Sequence, residues 1–362
     1  MSEDLLATLG RLPGYAIERE LGGGGMSRVF LAGETALGRR VAIKVLDAHG
    51  ARVDAERFRR EVLLSARLSH PHIVPLLTAG DLDGVLYYIM PYVDGMSLRA
   101  RLREGAQPLG EAIRLLRNVM AALAAAHAQG IVHRDIKPDN IIVTGGVAVV
   151  LDFGVSKALA ASSEAPRDGL TGAGLAIGTP RYMAPEQVLG DPDVDARADL
   201  YAWGVLAYEL FTGATPFGGG DPVKIARAHL SETPEPLSLK RPEVPPPIAA
   251  LVMRCLEKER ARRPASASEV LDLLDSVGTP SGLRVAGRGE RSDWIRARTM
   301  VLPALIYLLA CAITIAGLRW LMTQGQIGLR VLVLAVVLAL AGLPVVVGAG
   351  VIHRIRRVEG GA

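Results

Sequence analysis

The segment "HRDIKPDN" at 133–140 brings three side chains suited to phosphoryl transfer within six residues: Asp135, Lys137 and Asn140. The carboxylate can accept the proton of an attacking hydroxyl, the ammonium can neutralise charge on a moving phosphoryl group, and the amide can hold a metal ion. "LDFG" at 151–154 adds Asp152, a hard oxygen ligand suited to Mg²⁺ that bridges phosphates. This spacing indicates phosphoryl-transfer chemistry.

A glycine-rich stretch near the N-terminus, "LGGGGMSRV", is the candidate phosphate-binding loop. Read as G-x-G-x-x-G it places Gly22 and Gly24 at the first two positions, Ser27 at the third and Val29 two residues later. Starting one residue later puts an arginine in the third position. Lys44 of "VAIK", on the strand expected to pair with the second strand of the loop, favours the first reading.

The elements that must position these residues divide the chain in two. The first part indicates a small, mostly antiparallel sheet with one helix, and the second part is largely helical. Strand patterns occupy 16–21, 27–34, 39–46, 72–80 and 84–93, with a helix at 54–70. Later segments comprise a helix at 111–130, two short strands within 141–152, a loop at 155–180 rich in small residues, and helices from 184 to 277.

Two apolar runs near the end of the chain, Thr299–Leu318 and Val331–Ile352, contain no charged residue. They are 20 and 22 residues long, and a bilayer core needs roughly 20 residues of helix. Because neither run has a polar face, a pair of transmembrane helices is favoured over two buried core helices. Most arginines of this part precede the first run or follow the second, so both ends are expected in the cytoplasm.

The charge and cysteine content exclude several other classes of protein. Ten arginines and three acidic residues follow residue 280, so the basic character belongs to the membrane-flanking part and favours anionic lipid over nucleic acid. Two cysteines, Cys255 and Cys311, are too few for a disulfide framework. The N-terminal residues lack the apolar stretch of a secretory signal peptide.

Together these motifs identify the resemblance. From about Tyr15 to Val277 the chain resembles a eukaryotic-like (Hanks-type) serine/threonine protein kinase, and it is most similar to the membrane-tethered bacterial ones. "GTPRYMAPE", "DLYAWGV" and "RRP" at 262–264 follow the earlier motifs in the family's order. The resemblance implies an α+β, two-lobed protein kinase fold with a small β-rich N-lobe and a large helical C-lobe, followed here by a two-helix transmembrane hairpin.

The resemblance also implies the nucleotide site. Lys44 would contact the α- and β-phosphates of ATP and be held by a helix glutamate, with Glu61 the best candidate and Glu56 its competitor. Backbone groups of Pro91 and Val93, after Met90, would meet the adenine. Mg²⁺, which Mn²⁺ could replace, would be held by Asn140 and Asp152, and Asp135 would be the proton acceptor beside Lys137. The implied ATP-binding residues are Leu21, Gly22, Gly23, Gly24, Gly25, Met26, Ser27, Val29, Ala42, Lys44, Met90, Pro91 and Val93, with Gly23 and Gly25 at the variable positions of the loop.

Other positions carry structural or regulatory roles by the same resemblance. Glu186 would pair with Arg263, Asp199 would brace the catalytic loop, and His133 would pack under Phe153, which precedes Gly154. Arg134 beside Asp135 implies control by phosphorylation of the 155–180 loop. Thr171 is the first candidate site, before Ser162 and Ser163. Thr179 before Pro180, with Lys137, indicates serine or threonine substrates.

The sequence therefore predicts an ATP- and Mg²⁺-dependent serine/threonine protein kinase activated by autophosphorylation, multi-pass in the inner cell membrane with the kinase domain cytoplasmic. The alternative is an inactive kinase fold serving as a membrane scaffold. Expected partners are protein substrates, membrane lipid and a second copy of the chain, but no nucleic acid. The expected domains are an N-terminal extension (1–14), a kinase domain (15–277, N-lobe 15–93 and C-lobe 94–277), a basic linker (278–298), two transmembrane helices (299–318 and 331–352) joined by a short external loop (319–330), and a cytoplasmic tail (353–362).

Overall fold

A computed structural model describes most of the chain before residue 278, namely 2–24, 27–46, 58, 62, 65–153, 180–218 and 220–277. The chain divides into two compact units, Met1–Pro280 and Ser281–Ala362, and the described residues all belong to the first. The predicted transmembrane hairpin therefore lies outside the described residues. Within these described ranges, no helix is both long and apolar enough to cross a bilayer.

The N-terminal part is a five-stranded antiparallel sheet with strand order β1-β2-β3-β5-β4. Its strands are β1 (Tyr15–Gly24), β2 (Ser27–Glu34), β3 (Arg39–Leu46), β4 (Thr78–Leu82) and β5 (Val85–Pro91). The strand expected at 72–80 is therefore shorter than predicted. Within residues 72–77, His72 and Val74 bond to the backbone of Val150 around an isolated parallel bridge at Ile73, and Leu77 N donates to the Ile89 carbonyl of β5.

Strand β3 divides its side chains between two apolar clusters, as a period of two requires. Ala42 and Leu46 belong to an inner cluster that includes the fully buried Phe58 and Val62. Val41, Ile43 and Val45 belong to an outer cluster on the opposite face. Lys44 shares the face of Ala42 and Leu46, so the alternation directs its ammonium inward.

Helix α1 (Ser2–Leu9) covers part of the outer face of the sheet. Leu9 is fully buried and Leu12 nearly so, in the same cluster as Phe30 and Ile43. Although the sequence predicts that residues 1–14 are an N-terminal extension, these two leucines contribute to the core of the N-terminal part. Arg11 adds an exposed ion pair to Asp83 at 2.6 Å.

The C-terminal part is helical around a three-stranded sheet of order β6-β7-β8. Its strands are β6 (Met96–Ser97), β7 (Ile141–Thr144) and β8 (Val147–Val150). Its described helices are α2 (Leu98–Leu102), α3 (Leu109–His127), α4 (Pro185–Val188), α5 (Arg197–Thr212), α6 (Pro222–Ser231), α7 (Leu237–Lys240), α8 (Pro246–Cys255) and α9 (Ala267–Val277).

Helix α5 is the central element of this part, with nearly every residue buried. An apolar helix without a polar face is stable only when neighbours surround it, and α3, α8 and the turn Pro180–Tyr182 do so. Close approach of α8 depends on Gly204, where an added Cβ would lie 2.9 Å from the Cβ of Cys255. The helix ends at Gly213, whose φ of 79° is a left-handed C-cap.

Candidate active site

Three adjacent strands align one residue each on the inner face of the sheet. The register pairs Lys44 of β3 with Val29 of β2 on one side and with Tyr88 of β5 on the other. In the same register Ala42 lies opposite Met90. The lysine and the candidate hinge are therefore held relative to each other by backbone hydrogen bonds.

Two residues of this row contact the Asp152 carboxylate, one at each oxygen. Lys44 Nζ lies 2.5 Å from Asp152 Oδ2, and the Tyr88 hydroxyl donates to Asp152 Oδ1 at 2.6 Å. Burial alone would raise the pKa of Asp152, but the charge of Lys44 and the hydrogen bonds from Lys44 and Tyr88 hold it below its usual value. Burial and the neighbouring carboxylate raise the pKa of Tyr88 well above its usual value, so its proton stays on oxygen.

The two glutamates expected to hold Lys44, Glu61 and its competitor Glu56, lie outside the described residues. Phe58, three residues before Glu61, and Val62, directly after it, are helical and fully buried against the inner face. In the part of the chain that the structure describes, the ion-pair partner of Lys44 is Asp152.

Several of the predicted adenine-contacting residues share one apolar cluster. Val29 and Val93 pack against the cluster that contains Ala42 and Met90, and Leu151 packs against the same cluster. Leu21 is more than one-third exposed. Pro91 ends β5, pairing with Val41.

The glycine-rich stretch forms a hairpin between β1 and β2, with Gly22 opposite Val29, Gly23 opposite Arg28 and Gly24 opposite Ser27. Gly22 has a φ of 148°, which side-chain-bearing residues rarely adopt. A Cβ at Gly23 would lie 2.8 Å from the backbone oxygen of Ser27. A side chain at Gly23 would therefore require the two strands to shift in this hairpin, although the family resemblance gives the position as variable. The turn residues Gly25 and Met26 lie outside the described residues.

Asp135 is oriented by the two residues predicted to act with it. Lys137 Nζ lies 2.7 Å from Asp135 Oδ2, and Asn140 Nδ2 donates to the same oxygen at 2.9 Å and to the Asp135 backbone oxygen at 2.8 Å. The side chain of Asp135 is 40% exposed. The carboxylate is thus held by a charge and an amide while still open to a substrate.

Asp199, which is fully buried at the start of α5, holds the backbone of the loop that leads to Asp135. Its carboxylate accepts hydrogen bonds from the backbone N–H groups of His133 (2.8 Å) and Arg134 (2.7 Å) and contacts His127 Nε2 at 2.8 Å. Burial alone would raise the pKa of Asp199. The hydrogen bond and charge of His127, the charge of the His133 ring and the His133 backbone N–H hold this pKa below its usual value. Arg134 accordingly adopts a left-handed φ of 68°.

His133 is a structural residue of the loop. Its Nε2 lies 2.8 Å from the Leu151 carbonyl, which can only accept, so Nε2 donates and Nδ1 accepts from the Asp135 N–H at 3.2 Å. The Phe153 ring packs edge-on at 4.6 Å between centroids. The contact with Phe153 is the one expected from the sequence, and Gly154 lies outside the described residues.

The donor set beside Asp135 fits a magnesium ion that also binds phosphates. Asn140 donates its amide N–H groups to Asp135, which leaves its Oδ1 for a cation, and its backbone oxygen accepts from Leu151 N at 2.9 Å, next to Asp152. One carboxylate and one amide oxygen suit Mg²⁺ completed by phosphates and water. No cluster of three His, Cys, Asp or Glu able to hold a metal occurs among the described residues.

The remaining predicted pair is also brought together. Arg263 contacts both carboxylate oxygens of Glu186, at 2.7 and 2.8 Å, and both side chains are buried. Its other N–H groups donate to backbone oxygens of Arg197, Glu257 and Lys258. The fork geometry of arginine satisfies five acceptors at once, which no other side chain could do.

Arg134, the predicted regulatory arginine, contacts the segment before α5. Its Nη2 donates to the Val194 carbonyl at 3.2 Å, while its buried Nε has no partner among the described residues. Thr171, Thr179, Ser162 and Ser163 all lie outside the described residues, so the predicted regulatory loop stays a prediction.

Two side chains at or beside the site do not follow from the sequence motifs. Tyr88 could have been found, since Met90 opposite Ala42 in an antiparallel pair also places Tyr88 opposite Lys44. Arg99 could not, because its contacts to Asp139, Tyr182 and Glu209 join segments far apart in sequence.

Known proteins match the part of the chain that contains this site. Residues 15–273 match the family model described as protein kinase domain. The chain is 38% identical over 311 residues to the serine/threonine-protein kinase pkn2 of Myxococcus xanthus, covering 80% of this chain and 36% of that protein. It is 38% identical over 294 residues to the serine/threonine-protein kinase PknB of Mycolicibacterium smegmatis, covering 78% and 46%.

A solved structure shows the same fold. The crystal structure of the Mycobacterium tuberculosis PknI kinase domain matches with a TM-score of 0.56 and 31% sequence identity, over 73% of this chain and 96% of that one. The chain spans about a third to a half of the length of the curated relatives it matches. The predicted two-lobed fold is confirmed for the matched region.

Proposed function

Because the chain belongs to the protein kinase family, on its serine/threonine branch, we propose that it transfers the γ-phosphoryl group of ATP to serine and threonine hydroxyls of proteins. The observation that carries the proposal is the arrangement at Asp135, where Lys137 and Asn140 hold one carboxylate oxygen of a side chain that remains accessible. An inactive fold would not need to keep this carboxylate both oriented and open.

Asp135 is the proton acceptor of this reaction. Lys137 and Asn140 both contact Oδ2, which leaves Oδ1 to accept the proton of the substrate hydroxyl. Lys137 also lies where its ammonium can stabilise charge on the transferred group. Asp199 keeps the loop in this conformation through two backbone N–H groups.

Asp152 and Asn140 would hold Mg²⁺, and the apolar side chains around Ala42 and Met90 would pack against the adenine of ATP. The bound nucleotide and metal supply the phosphoryl group and neutralise its charge. Lys44 and Tyr88 keep the Asp152 carboxylate oriented within the site. Lys44 is positioned to exchange this contact for phosphate oxygens, since its side chain is not fully buried.

Regulation by autophosphorylation of the 155–180 loop is supported by Arg134. Its buried Nε has no acceptor among the described residues, and a phosphate would supply a charged one. Thr171 is the first candidate acceptor. Replacing Thr171 by Ala should lower the activity of the purified domain. Full activity with Ala there and at Ser162 and Ser163 would contradict this mode of control.

Membrane anchoring is supported by the sequence alone. The two uncharged runs after residue 298 and the arginines that flank them suit a hairpin with both ends in the cytoplasm. The hairpin would place the kinase next to anionic lipid and could pair two copies of the chain. A topology reporter fused after residue 362 should give a cytoplasmic signal; a periplasmic signal would overturn the hairpin.

The activity is tested by incubating the purified chain with ATP, Mg²⁺ and a generic protein substrate. We expect phosphoserine and phosphothreonine on the substrate and on the chain itself. Lys44→Ala and Asp135→Asn should each lower transfer by more than a hundredfold, about 3 kcal/mol of transition-state stabilisation. Equal transfer by the wild type and both variants would indicate a contaminating kinase and favour a scaffold.

A further inference from the structure

Four side chains form a polar cluster beside the catalytic loop, here called the Arg99 cluster. The guanidinium of Arg99 contacts Glu209 Oε1 at 2.9 Å, the Tyr182 hydroxyl at 2.6 Å and Asp139 Oδ2 at 3.3 Å. The Tyr182 hydroxyl donates to the second oxygen of Glu209. The guanidinium also lies 5.6 Å from the centroid of the Tyr182 ring.

The cluster lies beside the segment that carries the catalytic carboxylate. Asp139 belongs to the turn Pro138–Asn140, and the last residue of that turn donates to Asp135. Tyr182 belongs to the turn Pro180–Tyr182, where the described chain resumes after the 154–179 segment. Glu209 is anchored on the buried helix α5.

The cluster remains open to solvent on one side. The Asp139 side chain is 50% exposed and that of Arg99 is 24% exposed, whereas Glu209 is nearly buried. Arg99 therefore bridges the nearly buried Glu209 carboxylate and the half-exposed Asp139 carboxylate. Burial alone would lower the pKa of Arg99, but Tyr182, Glu209 and Asp139 raise it, so the guanidinium stays charged.

The two carboxylates would otherwise form a receptor for a cation. Paired carboxylates with a tyrosine hydroxyl suit the donors of a guanidinium or ammonium group. With Arg99 in place, those acceptors are satisfied from within the chain. A basic substrate side chain arriving there would meet a like charge and find no free acceptor on Glu209, and such juxtaposition disfavours the wrong partner.

We propose that Arg99 determines the substrate specificity of this kinase by occupying the place of a basic substrate side chain, so that acceptor sites without a nearby Arg or Lys are preferred. This inference rests on the proposed protein kinase activity. The preferred substrates of the kinase are then proteins whose acceptor serine or threonine is flanked by neutral or acidic residues.

The test measures kcat/KM for synthetic peptides with one threonine acceptor, in which Arg replaces Ala at each of the neighbouring positions in turn. For the wild type we expect Arg to be neutral or unfavourable throughout. For Arg99→Gln we expect the Arg-to-Ala ratio of kcat/KM to rise about tenfold at one or two positions, as freed carboxylates accept a charge-assisted hydrogen bond. Adding Asp139→Asn to Arg99→Gln should reduce that gain.

The matched control is Arg101→Gln. Arg101 lies two residues away on the same helix α2 and pairs with Glu111 at 2.5 Å, outside the Arg99 cluster. It should leave all ratios unchanged. Arg99→Lys keeps a charge but cannot contact three acceptors, so an intermediate ratio is expected, and it replaces Arg99→Gln if that variant does not unfold cooperatively.

Two outcomes would overturn the proposal. If Arg99→Gln and Arg99→Lys lower kcat/KM by one common factor for every peptide, Arg99 has a structural role only. If the wild type already prefers Arg near the acceptor, Arg99 does not block the Glu209 and Asp139 carboxylates. Absence of transfer by the wild type to every peptide and protein would instead overturn the proposed activity, and this inference with it.

Discussion

The Tyr88 hydroxyl donates a 2.6 Å hydrogen bond to Asp152 Oδ1, and Lys44 contacts the other oxygen of the same carboxylate. Tyr88 is buried, so the bond forms away from bulk water. A predicted metal ligand is therefore oriented by a residue on the strand that leads to the hinge. This contact couples the position of β5 to the carboxylate that would face the nucleotide.

Tyr88→Phe should weaken the orientation of Asp152 while keeping the packing of the ring. One buried carboxylate oxygen loses its donor, so the nucleotide-free protein should lose about 1–3 kcal/mol of unfolding free energy. The Mg²⁺ concentration for half-maximal activity should also rise by a few fold. Urea unfolding and Mg²⁺ titration measure the two effects. Tyr87→Phe, at the preceding residue of β5, is the control. An unchanged Mg²⁺ response in Tyr88→Phe would contradict the role of Tyr88 in orienting Asp152.

Gly23→Ala should impair the phosphate-binding hairpin. The added Cβ would lie 2.8 Å from a backbone oxygen of Ser27, so β1 and β2 must separate at their turn. We expect the KM for ATP to rise about tenfold or more with a smaller loss of stability. Gly33→Ala is the matched control on the same strand pair, because its Cβ would meet only a Glu18 side-chain atom at 3.7 Å. Equal KM values for the two variants would show that the close approach is unimportant.

Removing one partner of the Glu186–Arg263 pair should destabilise the C-terminal part strongly. Arg263→Met leaves a buried carboxylate without its counter-charge, at a cost of about 3–5 kcal/mol. The double variant Glu186→Gln, Arg263→Met should lose less than the sum of the two single changes, since the stranded charge is gone. Glu259→Gln, which breaks the exposed Arg262–Glu259 pair at 3.0 Å, serves as the control. Strict additivity in urea unfolding would contradict this coupling.

His229 should make the stability of the protein depend on pH in a defined window. Burial, with a smaller effect from the charge of Lys258, lowers the pKa of His229 to about 4. The ring stays neutral between Tyr201 OH at 2.9 Å and the Arg181 carbonyl at 3.0 Å. The unfolded chain takes up a proton at this residue below about pH 6.5, and the native state resists uptake until about pH 4.

The unfolded state therefore binds more protons in that window, and stability falls as pH falls from about 6.5 to 4, by on the order of 3 kcal/mol. Above about pH 6.5 this contribution is fully present. His229→Gln removes the ionisable group and should flatten the urea-unfolding profile between those pH values, whatever its effect at pH 7. An identical slope in the wild type and the variant would assign the dependence to other groups.

Local sequence was sufficient to predict the catalytic loop. Asp135, Lys137 and Asn140 are so close in the chain that a single turn brings them together, and the structure shows them in contact. The strand pattern likewise predicted that the strand of Lys44 pairs with the second strand of the glycine-rich loop, and Lys44 lies opposite Val29. These features depend on backbone geometry within short segments, which sequence patterns encode directly.

Tertiary structure alone decided the rest. Leu9 and Leu12 join the core of the N-terminal part although the first 14 residues look like an extension, because burial depends on which surface the sheet leaves uncovered. A side chain at Gly23 would force the two strands to shift, because it would meet the backbone of the opposite strand. Arg99 contacts Glu209 although the two residues are 110 positions apart in sequence. Such contacts arise from packing between distant segments, and no local period or motif in the sequence records them.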